Sequence, residues 1–194
     1  MLLNESYWTN RYLSGQSGWD TGSITTPLKQ YLDQVENKST KILIPGCGNA
    51  HEAAYLHENG FNSVYLLDIS PLPLQQFAER YPQFPKEHLI LRDFFEHEAA
   101  YDLILEQTFF CAIDPSLREN YVRKSSSLLK SNGKLVGVLF DREFTHQGPP
   151  FGGSVEEYQA LFQKAFEIKT LAPCYNSIPP RQGSEVFIQF IKAQ

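Results

Sequence analysis

Short apolar runs alternate with helical patterns along most of this chain of 194 residues. The apolar runs predict five strands, at 41–45, 64–68, 88–92, 101–106 and 134–140. The segments between them predict helices at 49–59, 71–81 and 116–130. Because parallel neighbours in a sheet need a crossover, usually a helix, this alternation indicates a mostly parallel sheet covered on both faces. The pattern therefore predicts a doubly wound, Rossmann-like α/β domain.

The last part of the chain follows a different pattern. After a helix predicted at 154–165, apolar runs at 166–172 and 185–191 are joined by a connector, 173–183, that holds three prolines. The connector has no helical period, and strands joined without a crossover tend to run antiparallel. The sequence therefore predicts seven strands, of which the last two form an antiparallel pair at the C-terminal edge of the sheet.

Composition and charge limit the number of domains and the kind of partner. A chain of 194 residues with 42% apolar content is long enough for one well-buried domain and too short for two of ordinary size. The net charge of −5, with no cluster of lysine and arginine, argues against a nucleic-acid partner. No apolar stretch approaches the ~20 residues of a membrane span. We predict a single domain over 1–194, monomeric and cytoplasmic, that acts on a small molecule.

The cysteines and histidines predict neither disulfides nor a metal site. Cys47, Cys111 and Cys174 stand at long spacings without a C-x-x-C motif, which is typical of reduced thiols. His51 and His57 lie six residues apart on a predicted helix, a spacing that does not bring two ligands to one face.

A turn with two glycines follows the first predicted strand. Gly46 and Gly48 lack a Cβ atom, so the turn can bend sharply and bring its amides against a ligand at the start of the next helix. Asp68 ends the second strand about twenty residues further on, where a carboxylate can bind both ribose hydroxyls of an adenosine cofactor. The dinucleotide fingerprint needs a third glycine, where this chain has His51. The turn alone leaves the identity of the adenosine cofactor open.

Two features favour S-adenosylmethionine over a nicotinamide cofactor. The antiparallel strand pair resembles the edge of class I S-adenosylmethionine-dependent methyltransferases, and differs from the parallel six-stranded nicotinamide-binding domain. A second acidic residue, Asp93, follows the third strand, where methyltransferases of this class commonly hold adenine. A helix N-cap explains Asp93 equally well when that residue is taken alone.

Several short motifs follow one another in a specific order along nearly the whole chain. They are Trp19-Asp-Thr-Gly22, Thr26-Pro-Leu28, Pro45-Gly-Cys-Gly48, Leu67-Asp-Ile-Ser70, Phe109-Phe-Cys-Ala-Ile-Asp-Pro115, Leu128-Leu-Lys-Ser-Asn-Gly133, Gly148-Pro-Pro-Phe151 and Ile178-Pro-Pro-Arg181. In this order they resemble the thiopurine S-methyltransferase family, and within it the plant halide/thiol methyltransferases. The resemblance implies methyl transfer from S-adenosylmethionine to a soft nucleophile such as a thiol, sulfide, thiocyanate or halide.

The resemblance also implies a cofactor site, position by position. Gly46 and Gly48 would approach the methionine part, Asp68 would hold the ribose, and Asp93 with Phe94 would frame the adenine. The same comparison places Gln107 where relatives carry an arginine or tyrosine that touches the cofactor.

An N-terminal lid over the cofactor, 1–30, is implied beside a Rossmann-like core at 31–194. Trp8, Tyr12 and Trp19 match aromatic positions of this lid. Trp8 and Tyr12 are four residues apart, which places them on one helix face. Aromatic anchors that serve packing alone are the alternative explanation.

The acceptor pocket is expected beyond the fourth and fifth strands. The residues that the resemblance assigns to it are Phe109, Phe110, Arg142, Phe151 and Arg181. Plant relatives usually carry tyrosine at position 151, so the missing hydroxyl disfavours halide use more than thiol use. Each arginine is also explained as a solvated charge at a strand end. Because a sulfonium methyl is already activated and the acceptor can arrive as an anion, no catalytic residue is predicted.

Three other functions remain open at this point. A small-molecule oxygen or nitrogen methyltransferase would need a base, for which Asp141 and His146 are the candidate pair. A non-catalytic module that binds S-adenosylmethionine would share the cofactor site. A nicotinamide oxidoreductase would require the missing third glycine.

Overall fold

Seven strands form one sheet, in the order β3-β2-β1-β4-β5-β7-β6, in the computed structural model, which describes residues 2–193. The strands are β1 (Ile42–Pro45), β2 (Val64–Asp68), β3 (Leu89–Leu91), β4 (Tyr101–Gln107), β5 (Leu129–Phe140), β6 (Phe166–Pro173) and β7 (Glu185–Lys192). β1 to β5 are parallel, and β7 pairs antiparallel with both β5 and β6. The predicted fold class, including the antiparallel C-terminal pair, is confirmed.

Six α-helices accompany the sheet within the described residues. They are α1 (Glu5–Leu13), α2 (Thr26–Leu32), α3 (His51–Glu58), α4 (Pro71–Arg80), α5 (Arg118–Leu128) and α6 (Val155–Phe162). The sequence patterns did not predict α2, a short helix that begins with a proline in its first turn. No helix in 2–193 combines the length and the apolar character that crossing a bilayer requires.

The fifth strand is longer than the sequence predicts. It begins at Leu129, directly after α5, whereas the predicted strand begins only at residue 134. The segment between these residues is polar, and it forms an irregularity in the register with β4, where the pairing passes from Tyr101 with Leu129 to Leu103 with Lys134. Asn132 lies in the left-handed region, with a φ of 60°. An irregular polar extension of this kind interrupts the apolar pattern that identifies a strand.

Alternate side chains of the central strands build two apolar layers, because successive residues of a strand point to opposite faces. Leu43 and Ile104 face the layer that contains α5 and α6. Ile42, Ile44 and Leu103 face the layer that contains α3 and α4. A strand buried on both faces is apolar throughout, which is why these strands were detectable as continuous apolar runs.

The strand order reverses at β1, since β2 and β3 lie on one side of it and β4 and β5 on the other. In doubly wound sheets, ligands bind outside the carboxyl ends of the strands at such a reversal. Gly46, Asp68 and Thr108 lie at or just beyond the ends of β1, β2 and β4, so the topology brings them to one crevice.

Candidate active site

A cavity of about 780 Å³ occupies this crevice, between the strand ends and the N-terminal segment. The predicted site residues that line it are Trp8, Tyr12, Trp19, Gly46, Asp68, Asp93, Phe94, Phe109, Arg142 and Arg181. Gly48, Gln107, Phe110 and Phe151 lie nearby without lining it. Residues far apart in the sequence therefore meet around one space large enough for a drug-sized ligand.

The turn after β1 depends on its glycines. Gly46 and Gly48 have φ values of 55° and 52°, in the region that disfavours residues with a Cβ atom. A Cβ atom on Gly46 would lie 2.3 Å from Cδ2 of Phe109, so a larger residue would displace that ring from the cavity wall. A Cβ atom on Gly48 would lie 3.3 Å from the Tyr12 hydroxyl. The turn is thus fitted closely to aromatic groups on both sides.

Asp68 is held at the end of β2 by backbone amides. Its Oδ1 accepts a hydrogen bond of 2.9 Å from the Ser70 amide, and its Oδ2 accepts one of 3.2 Å from the Gly48 amide. Burial raises the pKa of Asp68 to about 6, although these hydrogen bonds favour the charged form. Each carboxylate oxygen has a further lone pair, so the group can still accept hydrogen bonds from two hydroxyls.

Asp93 is an N-cap in the structure, and its role at the adenine stays a prediction. It is the N-cap of the short 3₁₀ turn Phe94–Glu96, where its Oδ1 accepts a hydrogen bond of 2.8 Å from the Phe95 amide. It also lines the cavity. The ring of Phe94 is buried and meets the ring of Phe109 edge to face, with centroids 5.2 Å apart. This part of the wall therefore offers a carboxylate beside an aromatic surface.

The N-terminal aromatics form one cluster over the cavity. Trp19 meets Trp8 and Tyr12 edge to face, with ring centroids 5.7 Å and 5.5 Å away. Burial, with a smaller contribution from Asp68, raises the pKa of Tyr12 far above its usual value, so its hydroxyl stays protonated. None of the residues of α1 is buried, which shows that this helix does not anchor itself in the protein core. Its aromatic face lies instead on the cavity.

Three contacts that the sequence did not reveal fasten this segment to the core. Thr9 Oγ1 lies 2.8 Å from Ser70 Oγ, at the start of α4. Asp20 accepts a hydrogen bond of 2.5 Å from Asn49 and lies 2.7 Å from His51 Nε2. Partial burial alone would raise the pKa of Asp20, but the hydrogen bonds from Gly22, His51 and Asn49 together lower it. These partners are far apart in sequence, and no local motif links them.

The two arginines of the predicted acceptor region differ in environment. Arg181 is buried, donates a 2.9 Å hydrogen bond to the Trp19 carbonyl and lies 3.4 Å from Glu185 Oε1. It therefore ties the N-terminal segment to β7. Arg142 is exposed, and its guanidinium lies over the Phe144 ring, 4.9 Å from the centroid. Only Arg142 has the surroundings of a solvated charge at a strand end.

Neighbouring phenylalanines after β4 face in opposite directions. Phe109 lines the cavity, whereas Phe110 is only 1% exposed and packs in the core beside Tyr158 and Phe162. Phe151 lies outside the cavity lining, and its amide donates a 2.7 Å hydrogen bond to the carbonyl of the cavity residue Cys111. The apolar wall is completed by Ile113, Leu117, Phe140, Phe144, Pro149 and Pro150.

The remaining polar candidates do not supply a base to the cavity. Asp141 and His146 are exposed and lie outside its lining. Burial raises the pKa of the Cys111 thiol to about 12, so this cavity residue remains neutral. Gln107 accepts a 3.0 Å hydrogen bond from Thr25, and its buried Nε2 has no protein partner among the described residues. Within residues 2–193, no group of metal-ligating side chains is clustered closely enough to hold an ion.

Comparisons with known proteins identify the family. A family model described as Thiopurine S-methyltransferase matches residues 3–189. A probable thiol methyltransferase 2 of Arabidopsis thaliana is 28% identical over 184 residues, which cover 92% of this chain and 81% of that protein. Thiocyanate methyltransferase 1 of Brassica oleracea is 29% identical over 189 residues, covering 94% and 83%.

The fold has a close match among solved structures. The crystal structure of 1,6-didemethyltoxoflavin-N1-methyltransferase from Burkholderia thailandensis, with 1,6-didemethyltoxoflavin and S-adenosylhomocysteine bound, has a TM-score of 0.77. It is 16% identical, and the match covers 98% of this chain and 87% of that one. At this identity the match supports the assignment of the fold and nothing further.

The residues present fit an adenosyl sulfonium cofactor. The turn at Gly46 leaves no room for a side chain, the Asp68 carboxylate retains free lone pairs, and aromatic rings flank both. Since the family match extends over nearly the whole chain, the protein belongs to the thiopurine S-methyltransferase family and is an S-adenosylmethionine-dependent methyltransferase.

Proposed function

We propose that this enzyme transfers the methyl group to a small thiol or a related sulfur nucleophile, and less readily to thiocyanate or a halide. The observation that carries the proposal is an apolar and aromatic cavity wall beside the glycine turn, with no histidine, no lysine and no ionised thiol among its described residues. A polarizable anion needs no base and is compatible with such a wall. The names of the plant relatives, thiol and thiocyanate methyltransferases, support the same class of acceptor.

The cofactor-binding residues of the proposal are Trp8, Tyr12, Trp19, Gly46, Gly48, Asp68, Asp93, Phe94 and Gln107. S-adenosylmethionine, when bound, supplies a methyl group already activated by its sulfonium. In the proposed arrangement Asp68 binds the ribose, since its two oxygens retain lone pairs on the cavity side of the sheet. Asp93 and Phe94 bind the adenine. Gly48 and Gln107 do not line the cavity, and in the proposal they act through their hydrogen bonds. The Gly48 amide donates to Asp68, and Gln107 accepts from Thr25.

The segment 1–30 serves as a lid over the cofactor in this proposal, and 31–194 as the core. Support comes from the aromatic cluster of Trp8, Tyr12 and Trp19, which lies on the cavity and not in the core. Leu28, at the far end of the segment, is fully buried, so the covering part ends before α2. A closed lid excludes water, which strengthens electrostatic interactions inside and keeps the reactants in line.

The acceptor site of the proposal contains Phe109, Phe110, Arg142, Phe151 and Arg181. Phe109 forms the wall, and Arg142 at the mouth attracts an anionic acceptor. Phe110 and Phe151 support that wall from outside the cavity lining, whereas Arg181 lines the cavity itself. Free thiols have a pKa near ~8.5, so a fraction is ionised at cellular pH without help from the protein.

We also propose that the enzyme acts as a cytoplasmic monomer. Every part of the cavity described above is provided by one chain. The three buried cysteines are free thiols, as expected in a reducing compartment. Light scattering at micromolar concentration should give the mass of one chain, 22.2 kDa.

An acceptor panel tests the proposed function. The purified protein is incubated with S-adenosylmethionine and thiols, hydrogen sulfide, thiocyanate, iodide, thiopurines, phenols or amines, and S-adenosylhomocysteine is measured. We expect the highest kcat/KM with a thiol or sulfide, and loss of turnover in Asp68→Ala. A higher kcat/KM with a phenol or an amine would contradict the proposal and indicate an oxygen or nitrogen methyltransferase. Binding of the cofactor without turnover of any acceptor would indicate a non-catalytic module.

A further inference from the structure

Glu106 is a buried carboxyl group behind the cavity wall that the proposed function does not use. It lies at the end of β4 and is 0% exposed. Its Oε1 accepts hydrogen bonds of 2.8 Å and 2.9 Å from the amides of Phe109 and Phe110, and its Oε2 accepts one of 2.5 Å from the Tyr121 hydroxyl. A buried carboxyl group without such partners would be costly, and here three donors surround it.

The three hydrogen bonds fix the turn that follows β4. Thr108 has a φ of 59°, a left-handed conformation that is uncommon for a β-branched residue. A 3₁₀ turn, Phe110–Ala112, begins immediately afterwards. Its first amides would lack acceptors without the carboxylate. Glu106 therefore holds a chain reversal that the local sequence does not favour by itself.

This reversal determines where the ring of Phe109 lies. The ring fills the space over Gly46, where even a Cβ atom would come within 2.3 Å of it. Tyr121 reaches both parts of the arrangement, since it donates to Glu106 and lies 6.0 Å from Phe109, centroid to centroid. A shift of the turn would move the ring relative to the glycine turn of the cofactor site.

We propose that Glu106 is a positioning residue for methyl transfer. By holding the amides of Phe109 and Phe110 and the hydroxyl of Tyr121, it fixes the Phe109 ring as the wall that brings the acceptor into line. Glu106 touches neither cofactor nor acceptor in this role. The inference rests on the proposed function, because the proposed function places Phe109 on the acceptor side of the cavity.

The chain offers a matched pair of variants for the test. Tyr121 and Tyr101 are both fully buried, and each hydroxyl makes one side-chain hydrogen bond, Tyr121 to Glu106 and Tyr101 to His97 at 2.8 Å. Tyr101 lies at the opposite end of β4, away from the cavity. Tyr121→Phe and Tyr101→Phe thus remove comparable groups, and only the first removes support from the turn.

The expected result separates positioning from general stability. With saturating cofactor, Tyr121→Phe should lower kcat/KM for the acceptor by about tenfold, because small displacements of a positioned group are costly to rate. The dissociation constant of S-adenosylhomocysteine should stay within about threefold, since the Asp68 contacts remain. Tyr101→Phe should change neither quantity beyond about twofold. Glu106→Gln should lower the acceptor kcat/KM by about as much as Tyr121→Phe does. When both substitutions are combined, the loss of kcat/KM should be much smaller than the two single losses added as free energies, as expected for residues of one network.

A second measurement does not depend on turnover. When the protein is labelled with fluorophenylalanine, the signal of Phe109 among its 14 phenylalanines is assigned by its absence in Phe109→Leu. This signal should shift in Tyr121→Phe and Glu106→Gln, and stay in place in Tyr101→Phe. An unmoved signal, or acceptor kcat/KM within twofold of Tyr101→Phe, overturns the positioning role. If the wild type methylates no acceptor, the proposed function fails, while the fluorine signal still decides whether Glu106 positions Phe109.

Discussion

Asp68 is a buried carboxylate that also lines the cavity. It is 5% exposed, so burial favours its neutral form, yet it lines the cavity, where we propose that it accepts hydrogen bonds from ligand hydroxyls. The amides of Gly48 and Ser70 support the charged form, and the pKa of about 6 leaves the carboxylate ionised at neutral pH. Cofactor affinity should therefore depend on pH in a range where free aspartate does not titrate.

Substitution of Asp68 tests this residue. We expect Asp68→Ala to weaken S-adenosylhomocysteine binding by ~1.5–3 kcal/mol for each charge-assisted hydrogen bond lost. In the wild type, affinity should fall as the pH drops below about 6, because protonation removes an acceptor. Asp68→Asn should show little of this pH dependence. Calorimetry at pH 7.5 and 5.5 measures both effects, and unchanged affinity in a folded Asp68→Ala protein would remove Asp68 from the site.

Glu106 should make stability depend on pH in the opposite sense from an ordinary paired carboxylate. Burial raises its pKa from 4.5 to about 7 in the folded protein, despite the hydrogen bonds from Tyr121, Phe110 and Phe109. The folded state therefore binds a proton that the unfolded state releases, so this contribution to stability is present below about pH 4.5 and is lost as pH rises through 7. It amounts to at most ~3 kcal/mol.

The measurement compares urea unfolding of wild type and Glu106→Gln at pH 5 and pH 8. The wild type should lose more stability between these values than the variant, which has no titrating group at this position. Equal losses in the two proteins would show that Glu106 keeps one protonation state throughout. Asp20 differs from Glu106, because hydrogen bonds lower its pKa. Its contribution to stability should therefore be the same at pH 5 and pH 8.

At the scale of elements, the N-terminal segment is attached to the domain mainly by polar contacts. The helix α1 buries no residue, and Thr9, Asp20 and the Trp19 carbonyl provide specific links to α4, α3 and Arg181. Segments with few buried apolar contacts open at low free-energy cost. In the proposed lid role, the segment would open to admit substrate and release product without unfolding of the sheet.

Removal of residues 1–20 tests the lid. The truncated protein should keep the circular dichroism of the sheet but lose tight S-adenosylhomocysteine binding, since Trp8, Tyr12 and Trp19 are removed together. In the full chain, the cofactor should quench or shift tryptophan fluorescence, because both tryptophans lie in this segment. Trp8→Phe controls for the loss of one fluorophore. Normal binding by the truncated protein would restrict the segment to a packing role.

How far the sequence predicts these elements depends on whether their signals are local. The buried parallel strands, the glycine turn after β1 and the aspartate at the end of β2 are each encoded within a few residues. The predicted parallel strands agree with the structure. The orientation of Phe109 and Phe110 is not local, because it depends on the turn that Glu106 holds. The contacts of Asp20 with Asn49 and His51 span about thirty residues and follow no local motif. Contacts between segments distant in the chain were thus the part that the sequence could not supply.

At the scale of the whole molecule, the overall charge and the charge near the cavity differ. The protein carries a net charge of −5, whereas four arginines, Arg11, Arg92, Arg142 and Arg181, lie along the cavity with three aspartates, Asp68, Asp93 and Asp114. Arg181 is balanced by Glu185, and Arg142 has no carboxylate within 4.0 Å among the described residues. The cavity lining is therefore less negative than the chain as a whole, in agreement with the proposed anionic acceptor.

The last prediction concerns how such an acceptor becomes reactive. If thiolates enter already ionised, kcat/KM should rise with pH along the ionisation of the acceptor, and a thiol of lower pKa should shift the curve to lower pH. His146→Ala and Asp141→Asn should leave its shape unchanged, since both residues are exposed and lie outside the cavity lining. The rates are measured for two thiols of different pKa in wild type and both variants. A curve that stays near the pKa of histidine for every thiol, and disappears in His146→Ala, would exclude the base-free reaction and indicate an oxygen or nitrogen acceptor.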